Sequence, residues 1–177
     1  MKKHFEIILG LAIFFAAGSA VCKNKANIYE QPRDLPQKEI IGVTGDSFLL
    51  EDFKGNFIIA VFWSKNCSPC IRELKGLARF AAKVKDEGIR VIMISPESEW
   101  IGGFEEHRRF MSRFEASNLE IYVDEREAVA ASLGVFSSPV SVLINSDNKE
   151  IGRIRGKLDW NTPETIEYIR KIKAEND

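Results

Sequence analysis

The feature that most constrains the fold is an unbroken apolar run at residues 57–63, Phe-Ile-Ile-Ala-Val-Phe-Trp, within a chain of 177 residues. A run of this length that is rich in β-branched and aromatic side chains is typical of a strand buried on both faces. Such strands occur in sheets that helices cover on both sides. The run therefore predicts the central strand of an α/β protein.

The segments after this run alternate between helix-like and strand-like patterns. Apolar residues recur on one helical face at Ile71, Leu74, Leu77, Ala78, Ala81 and Val84, and Gly88 is expected to end that helix. Further strands are predicted at residues 90–94, 121–123, 140–144 and 151–154, and further helices at 104–114, at 127–133 and after 161. The last two strands flank a turn-like segment and predict a hairpin. The alternation predicts a mixed β-sheet flanked by helices.

Composition and charge exclude several classes of protein. Hydrophobic residues make up 45% of the chain and include 12 Phe, which argues against intrinsic disorder. The 25 basic and 26 acidic side chains nearly cancel, which argues against a nucleic-acid partner. The length suffices for one domain whose core needs no disulfide staples. No motif for a phosphate group or a metal cluster is present, and no cofactor is expected.

The N-terminal residues 1–22 are predicted to direct export. Lys2 and Lys3 precede an uncharged run at residues 7–22 that ends in small residues, as in a secretory signal. At helical rise the run spans roughly 24 Å, against about 30 Å for a hydrocarbon core. A cleaved signal, an uncleaved anchor and lipidation at Cys22 therefore all stay open. Each places the protein in the periplasm or at the outer face of the cytoplasmic membrane.

The remaining chain is divided at residue 40. Residues 23–39 are polar, contain two prolines and show no period, which predicts a linker or an N-terminal arm. Residues 40–174 are expected to form the folded domain.

The chemistry is expected at Cys67-Ser-Pro-Cys70, where the central strand gives way to the predicted helix. Free N–H groups at a helix N-terminus stabilise an anion, and thus the thiolate of Cys67. Cys70 lies one turn on and can resolve a mixed disulfide that Cys67 forms with a partner. A structural zinc site is the alternative, but zinc needs two further ligands and only Cys22, His4 and His107 remain.

The stretch of residues 62–70, Phe-Trp-Ser-Lys-Asn-Cys-Ser-Pro-Cys, resembles the active site of thioredoxin-fold proteins. Together with Leu-Glu-Asp-Phe-Lys-Gly at 50–55 and Glu73, it is similar to the TlpA/ResA branch of exported thiol–disulfide oxidoreductases over residues 40–173. The resemblance implies a thioredoxin-like fold, protein disulfides as substrates and a membrane thiol-transfer protein as electron donor.

The resemblance also implies a substrate-binding loop. Gly-Val-Phe-Ser-Ser-Pro-Val at 134–140 matches the cis-proline loop of the family, which faces the cysteines and binds the extended chain of the partner. Ser138 and Pro139 are therefore expected to contact substrate, with Pro139 in the cis form. Trp63, at the end of the central strand, is a further candidate for substrate binding, although core packing alone would account for it.

Two other titratable residues, Glu73 and His107, are considered for a role in the chemistry of the site. Glu73 follows Cys70 by three residues, and a partly buried carboxyl there would exchange a proton with the resolving thiol. The alternative is a solvated Glu73 that pairs with Arg72. The aspartate that ordinary thioredoxins bury six residues before the first cysteine is replaced by Val61. His107, beside two arginines, is interpreted as part of a solvated basic patch.

The sequence predicts a protein-disulfide reductase. The cysteines enclose Ser-Pro, without the histidine that stabilises the thiolate in strongly oxidising relatives, which favours a reductant. A disulfide oxidase or isomerase of the same fold and a non-catalytic metal-binding module remain the alternatives.

Overall fold

The computed structural model describes residues 26–177, which form one mixed sheet with helices on both faces. Its strands are β1 Asn27–Asp34, β2 Glu39–Gly42, β3 Ser47–Leu49, β4 Phe57–Phe62, β5 Ile89–Pro96, β6 Glu120–Asp124, β7 Val140–Ile144 and β8 Lys149–Arg155. Its helices are α1 Ser68–Val84, α2 Gly103–Arg113, α3 Ala128–Ser132 and α4 Pro163–Asn176. The predicted export segment and Cys22 lie outside the described residues. Within residues 26–177, no helix is both long and apolar enough to cross a membrane.

The strand order is β1-β8-β7-β4-β5-β6-β2-β3, with β4 at the centre. Strand β4 runs parallel to β5 and antiparallel to β7, and β5 runs parallel to β6. The predicted strand at residues 57–63 and the predicted hairpin of β7 and β8 are confirmed. The mixed α/β architecture expected from the sequence is therefore confirmed.

Every residue of β4 is buried because its alternating side chains enter two separate cores. Phe57, Ile59 and Val61 pack with the apolar faces of α1, α2 and α4. Ile58 and Ala60 pack on the other side of the sheet, with α3 among their neighbours. An apolar run without alternation is the sequence signature of a strand in this position.

Helix α1 carries the apolar face that its spacing predicts. Leu74, Leu77, Ala78 and Val84 are buried, whereas the basic side chains of the helix point to solvent. A short 3₁₀ turn extends α1 as far as Gly88, whose φ of 69° lies in the left-handed region that glycine adopts without strain. The chain then turns directly into β5.

Strand β1 lies in the segment for which a linker or an N-terminal arm is expected, and its pairing with β8 differs from that expectation, although the register shifts between Ile28 and Arg33. It runs antiparallel to β8, with Asn27 opposite Arg153 and Asp34 opposite Lys149. Nearly all its side chains are exposed, so it lacks the alternation that marks a half-buried strand. A Cβ at Gly152 would lie 2.5 Å from the carbonyl oxygen of Asn27, so glycine is required for β1 to pack this closely.

A buried ion pair joins β1 to the sheet interior. The Arg153 guanidinium contacts the Glu150 carboxylate at 2.5 and 3.0 Å, and both side chains are buried. The Tyr29 hydroxyl donates to Glu150 Oε1 at 2.8 Å, and Arg153 Nη2 donates to the Leu133 carbonyl oxygen at 2.6 Å. The pair thus connects β1 and β8 to the end of α3, just before the predicted cis-proline loop.

Candidate active site

Cys67 and Cys70 form a disulfide at the start of α1, with their Cα atoms 5.3 Å apart. Cys67 is the N-cap of the helix, and its Sγ accepts a hydrogen bond from the Cys70 backbone N–H at 3.3 Å. Cys70 is only 1% exposed, whereas Cys67 is partly exposed. A partner protein can therefore reach Cys67 alone, which agrees with attack by Cys67 and resolution by Cys70.

The loop before β7 faces the disulfide. The Ser138–Pro139 peptide bond is cis, as the resemblance implies. Cys67 Sγ lies 3.5 Å from the carbonyl oxygen of Ser138, and the Gly156 N–H donates to the Pro139 carbonyl oxygen at 2.9 Å. Ser138 is exposed and Pro139 is buried. The structure thus brings these two predicted residues to the reactive sulfur.

Glu73 is buried beneath the disulfide, one turn after Cys70 on the same helix face. Its carboxylate accepts hydrogen bonds from the Leu158 backbone N–H at 3.1 Å and from Trp160 Nε1 at 3.3 Å. Burial raises the pKa of Glu73 to about 7, although these two hydrogen bonds and the charge of Lys157 oppose the rise. The alternative of a solvated Glu73 paired with Arg72 is wrong, because Glu73 is only 4% exposed.

The segment between β4 and Cys67 is held by Glu99, a residue that sequence reasoning does not single out. Ser64 Oγ–H donates to Glu99 Oε1 at 2.5 Å, and the Lys65 backbone N–H donates to Glu99 Oε2 at 2.9 Å. Because β4 and β5 are parallel neighbours, the residues that follow them meet at one edge of the sheet. Glu99 follows β5, and that position is the one signal by which it could be found.

Trp63 lies beneath the site and not on its surface. The side chain is 2% exposed, which leaves almost no area for contact with a substrate, so its direct role in binding is not supported. Its ring packs against Trp100, His107 and Phe110, with ring centres 5.6 to 5.9 Å apart. The core-packing alternative accounts for this residue.

The interpretation of His107 as part of a solvated patch is wrong. His107 is fully buried and stacks on Trp100 with ring centres 3.9 Å apart, because it shares the sheet-facing side of α2 with Phe110. Neither of its ring nitrogens has a hydrogen-bond partner among the described residues. Burial lowers the pKa of His107 to about 3, so the ring is neutral at physiological pH. Arg108 and Arg109 are exposed, as expected.

Among the described residues, no group of three His, Cys, Asp or Glu side chains is placed to hold a metal ion. The groups that the structure brings together at this site are the two sulfur atoms and, on the same helix face, the buried carboxyl group of Glu73.

Three features together define a thioredoxin-like protein: the order of the strands, a Cys-x-x-Cys disulfide at the start of the helix that follows the central strand, and a cis-proline that faces this disulfide. The chain belongs to the AhpC/TSA family, whose family model matches residues 13–153.

Individual relatives agree with this assignment. Thiol-disulfide oxidoreductase ResA of Bacillus cereus is 26% identical over 179 residues, which cover 97% of this chain and 99% of the relative. The thiol:disulfide interchange protein DsbE of Chlorobium tepidum superposes with a TM-score of 0.64 at 21% identity, covering 80% of this chain and 94% of its own. The exposed lipoprotein thioredoxin of Streptococcus pneumoniae gives 0.61 at 22% identity, covering 77% and 97%. The resemblance to the ResA branch and the thioredoxin-like fold are confirmed.

Proposed function

We propose that this chain is a thiol–disulfide oxidoreductase that reduces disulfides of partner proteins outside the cytoplasm. The observation that carries the proposal is the pairing of a partly exposed Cys67 with a buried Cys70, opposite the cis-proline loop. The expected enzyme class is confirmed by the ResA relative, which matches nearly the whole chain and is named for this activity. The catalytic residues are proposed to be Cys67, Cys70 and Glu73.

The reaction begins with the reduced protein, whose electrons come from a dithiol donor. The Cys67 thiolate attacks one sulfur of the partner disulfide, and the other partner sulfur leaves as a thiolate and takes up a proton. A mixed disulfide now joins Cys67 to the partner. The N-terminus of α1 stabilises the thiolate of Cys67 as the attacking group.

The second step completes the transfer of two electrons to the partner and forms the Cys67–Cys70 disulfide. Glu73 takes the proton of the Cys70 thiol, and the Cys70 thiolate attacks Cys67 Sγ. The bond between Cys67 and the partner breaks, and the second partner sulfur leaves as a thiolate and takes up a proton. The partner then carries two thiols, and the protein keeps the Cys67–Cys70 disulfide. Two electrons have then passed to the partner. Because its pKa is about 7, Glu73 can accept the proton and release it again near neutral pH.

The cellular setting is proposed from residues 1–22 and from the relatives. The basic start and apolar run support export, and a solved relative is an exposed lipoprotein. We place the domain in the periplasm or at the outer face of the cytoplasmic membrane, where a membrane dithiol protein is the proposed electron donor. Cell fractionation, with mass spectrometry of the mature N-terminus, tests this and decides the processing at Cys22. Recovery of the protein in the cytoplasm would contradict it.

Reduction of insulin disulfides by the domain, with dithiothreitol as donor, tests the activity. We expect turnover that is lost in Cys67→Ser, and equal rates for that variant and the wild type would contradict the proposal. The redox potential of the Cys67–Cys70 couple tests the direction. A reductase is expected at or below about −200 mV, whereas a potential near −120 mV would indicate an oxidase.

A further inference from the structure

A groove of about 380 Å³ opens beside the disulfide. One wall is the cis-proline loop at residues 135–138. Further lining residues, Ser98, Glu99 and Glu127, come from two 3₁₀ turns, Glu97–Glu99 and Glu125–Glu127, which follow β5 and β6 and lie side by side. Ser138 belongs to both the groove and the active site, since its carbonyl oxygen is 3.5 Å from Cys67 Sγ. A partner chain bonded to Cys67 therefore lies at one end of this groove.

The loop wall offers an apolar contact. Phe136 lines the groove and is 85% exposed. Its neighbours in the loop, Ser137 and Ser138, are exposed and polar. A large aromatic side chain that stays in water gains free energy when another apolar side chain covers it. Phe136 is thus suited to hold an apolar residue of a bound segment.

The two 3₁₀ turns bring negative charge to the groove. Glu99 and Glu127 line the groove, and Glu97 and Glu125 stand on the same two turns. Arg126 is the only basic residue of these turns, and it is not among the lining residues. Glu127 is exposed, and among the described residues its carboxylate forms no ion pair and accepts no hydrogen bond. It is therefore available to a cation of the partner.

We propose that the groove selects protein disulfides in which an apolar residue and a lysine or arginine stand beside the attacked cysteine. The inference rests on the proposed function and specifies its substrate class. Successive side chains of an extended segment point to opposite sides. Because Phe136 and Glu127 line the same groove, an apolar residue can then cover Phe136 while its cationic neighbour meets Glu127. The free carboxylate of Glu127 argues for the cationic residue, and the shared residue Ser138 argues for a position beside the attacked cysteine.

Two disulfide-containing peptides test the proposal. They are identical except that the residues beside the attacked cysteine are Leu-Lys in one and Leu-Glu in the other. Each is mixed with the fully reduced protein, and the single-turnover rate is followed by chromatography of the released thiol. We expect the Lys peptide to be reduced about tenfold faster at about 20 mM NaCl, and the ratio to fall at about 300 mM because salt screens the attraction.

Matched variants locate the charge effect. Glu127→Gln should lower the ratio of the two rates to about threefold, whereas Glu164→Gln, on α4 and away from the groove, should leave it unchanged. A ratio is insensitive to a fraction of misfolded protein. Phe136→Ser should slow reduction of both peptides, and replacing their Leu by Ser should remove that difference. An unchanged ratio in Glu127→Gln would overturn the inference.

The outcomes also separate this inference from the proposed function. Equal rates for both peptides, with loss of reduction in Cys67→Ser, would overturn the groove selectivity and leave the reductase activity standing. Failure to reduce either peptide or insulin would overturn the proposed function itself.

Discussion

Replacement of Glu73 by Gln should make the protein more stable and less active, and the size of the first effect follows from the buried carboxyl group. The pKa of Glu73 is raised from 4.5 to about 7 in the folded protein, chiefly by burial. The folded state therefore favours the protonated form. The associated stability is fully present below pH 4.5 and is lost as the pH rises to 7. Since one pH unit corresponds to about 1.4 kcal/mol, ionised Glu73 destabilises the folded protein by about 3 kcal/mol above pH 7.

Glutamine keeps an oxygen that can accept from Leu158 N–H and Trp160 Nε1 but carries no charge. In urea denaturation of the oxidised protein, Glu73→Gln should exceed the wild type by about 3 kcal/mol at pH 8.5 and by less than about 1 kcal/mol at pH 4. The contributions of the other titrating groups to the pH dependence cancel in this difference because both proteins share these groups. A difference that stays the same at both pH values would refute the reasoning.

The same variant should slow the step in which Cys70 attacks the mixed disulfide. Loss of the proton acceptor should reduce that rate by about 100-fold, while the attack of Cys67 on the partner is nearly unchanged. A trapped mixed disulfide followed by mass spectrometry separates the two steps. Equal slowing of both would indicate a merely structural role for Glu73.

Further substitutions test the supports of the site. Glu99→Gln keeps only one of the two carboxylate oxygens that accept from Ser64 and Lys65 and should change the alkylation rate of reduced Cys67 several-fold. The same substitution at the exposed Glu97 should leave that rate unchanged. The free energy of unfolding of His107→Leu, relative to that of the wild type, should be about 3 kcal/mol higher at pH 4 than at pH 7. The folded pKa of about 3 lies below the unfolded 6.5, so the wild type loses stability as the pH falls; denaturation curves at both pH values check this. Arg153→Ala leaves Glu150 buried without its cation and should cost about 3–5 kcal/mol in urea denaturation. Glu150→Gln in the same chain should recover part of that loss.

The central part of the fold could be predicted because its residues have strong local patterns. The apolar run of β4, the helical spacing in α1 and the cysteines between them are adjacent in sequence. The cis Pro139 and the buried Glu73 were expected through the resemblance, and the structure places both near the disulfide. Local pattern and tertiary environment agree at these positions.

The features that were not predicted depend on contacts between distant segments. Strand β1 is polar on both faces, and only its pairing with β8 makes it a strand. Glu99 gains its role because two parallel strands end at the same edge. His107 stands between Glu106 and Arg108 in sequence, within a charged stretch, whereas the packing of α2 turns it inward. Its spacing of three from Phe104 and from Phe110 could have indicated the buried face.

The direction of β1 has a consequence for how the protein would meet its electron donor. Asn27 begins β1 opposite Arg153, two residues before the end of β8, which is the same edge of the sheet that carries Pro139 and Cys67. From Cys22 to Asn27 the chain can reach no more than about 18 Å. If the chain is retained at the membrane through residue 22, this short connection would limit how far the end of the sheet that carries the disulfide can move from the lipid surface, and thus which donors can dock. A longer connection between residue 22 and β1 would then give the protein access to more partners in solution but would slow the reduction of its disulfide by a donor in the membrane.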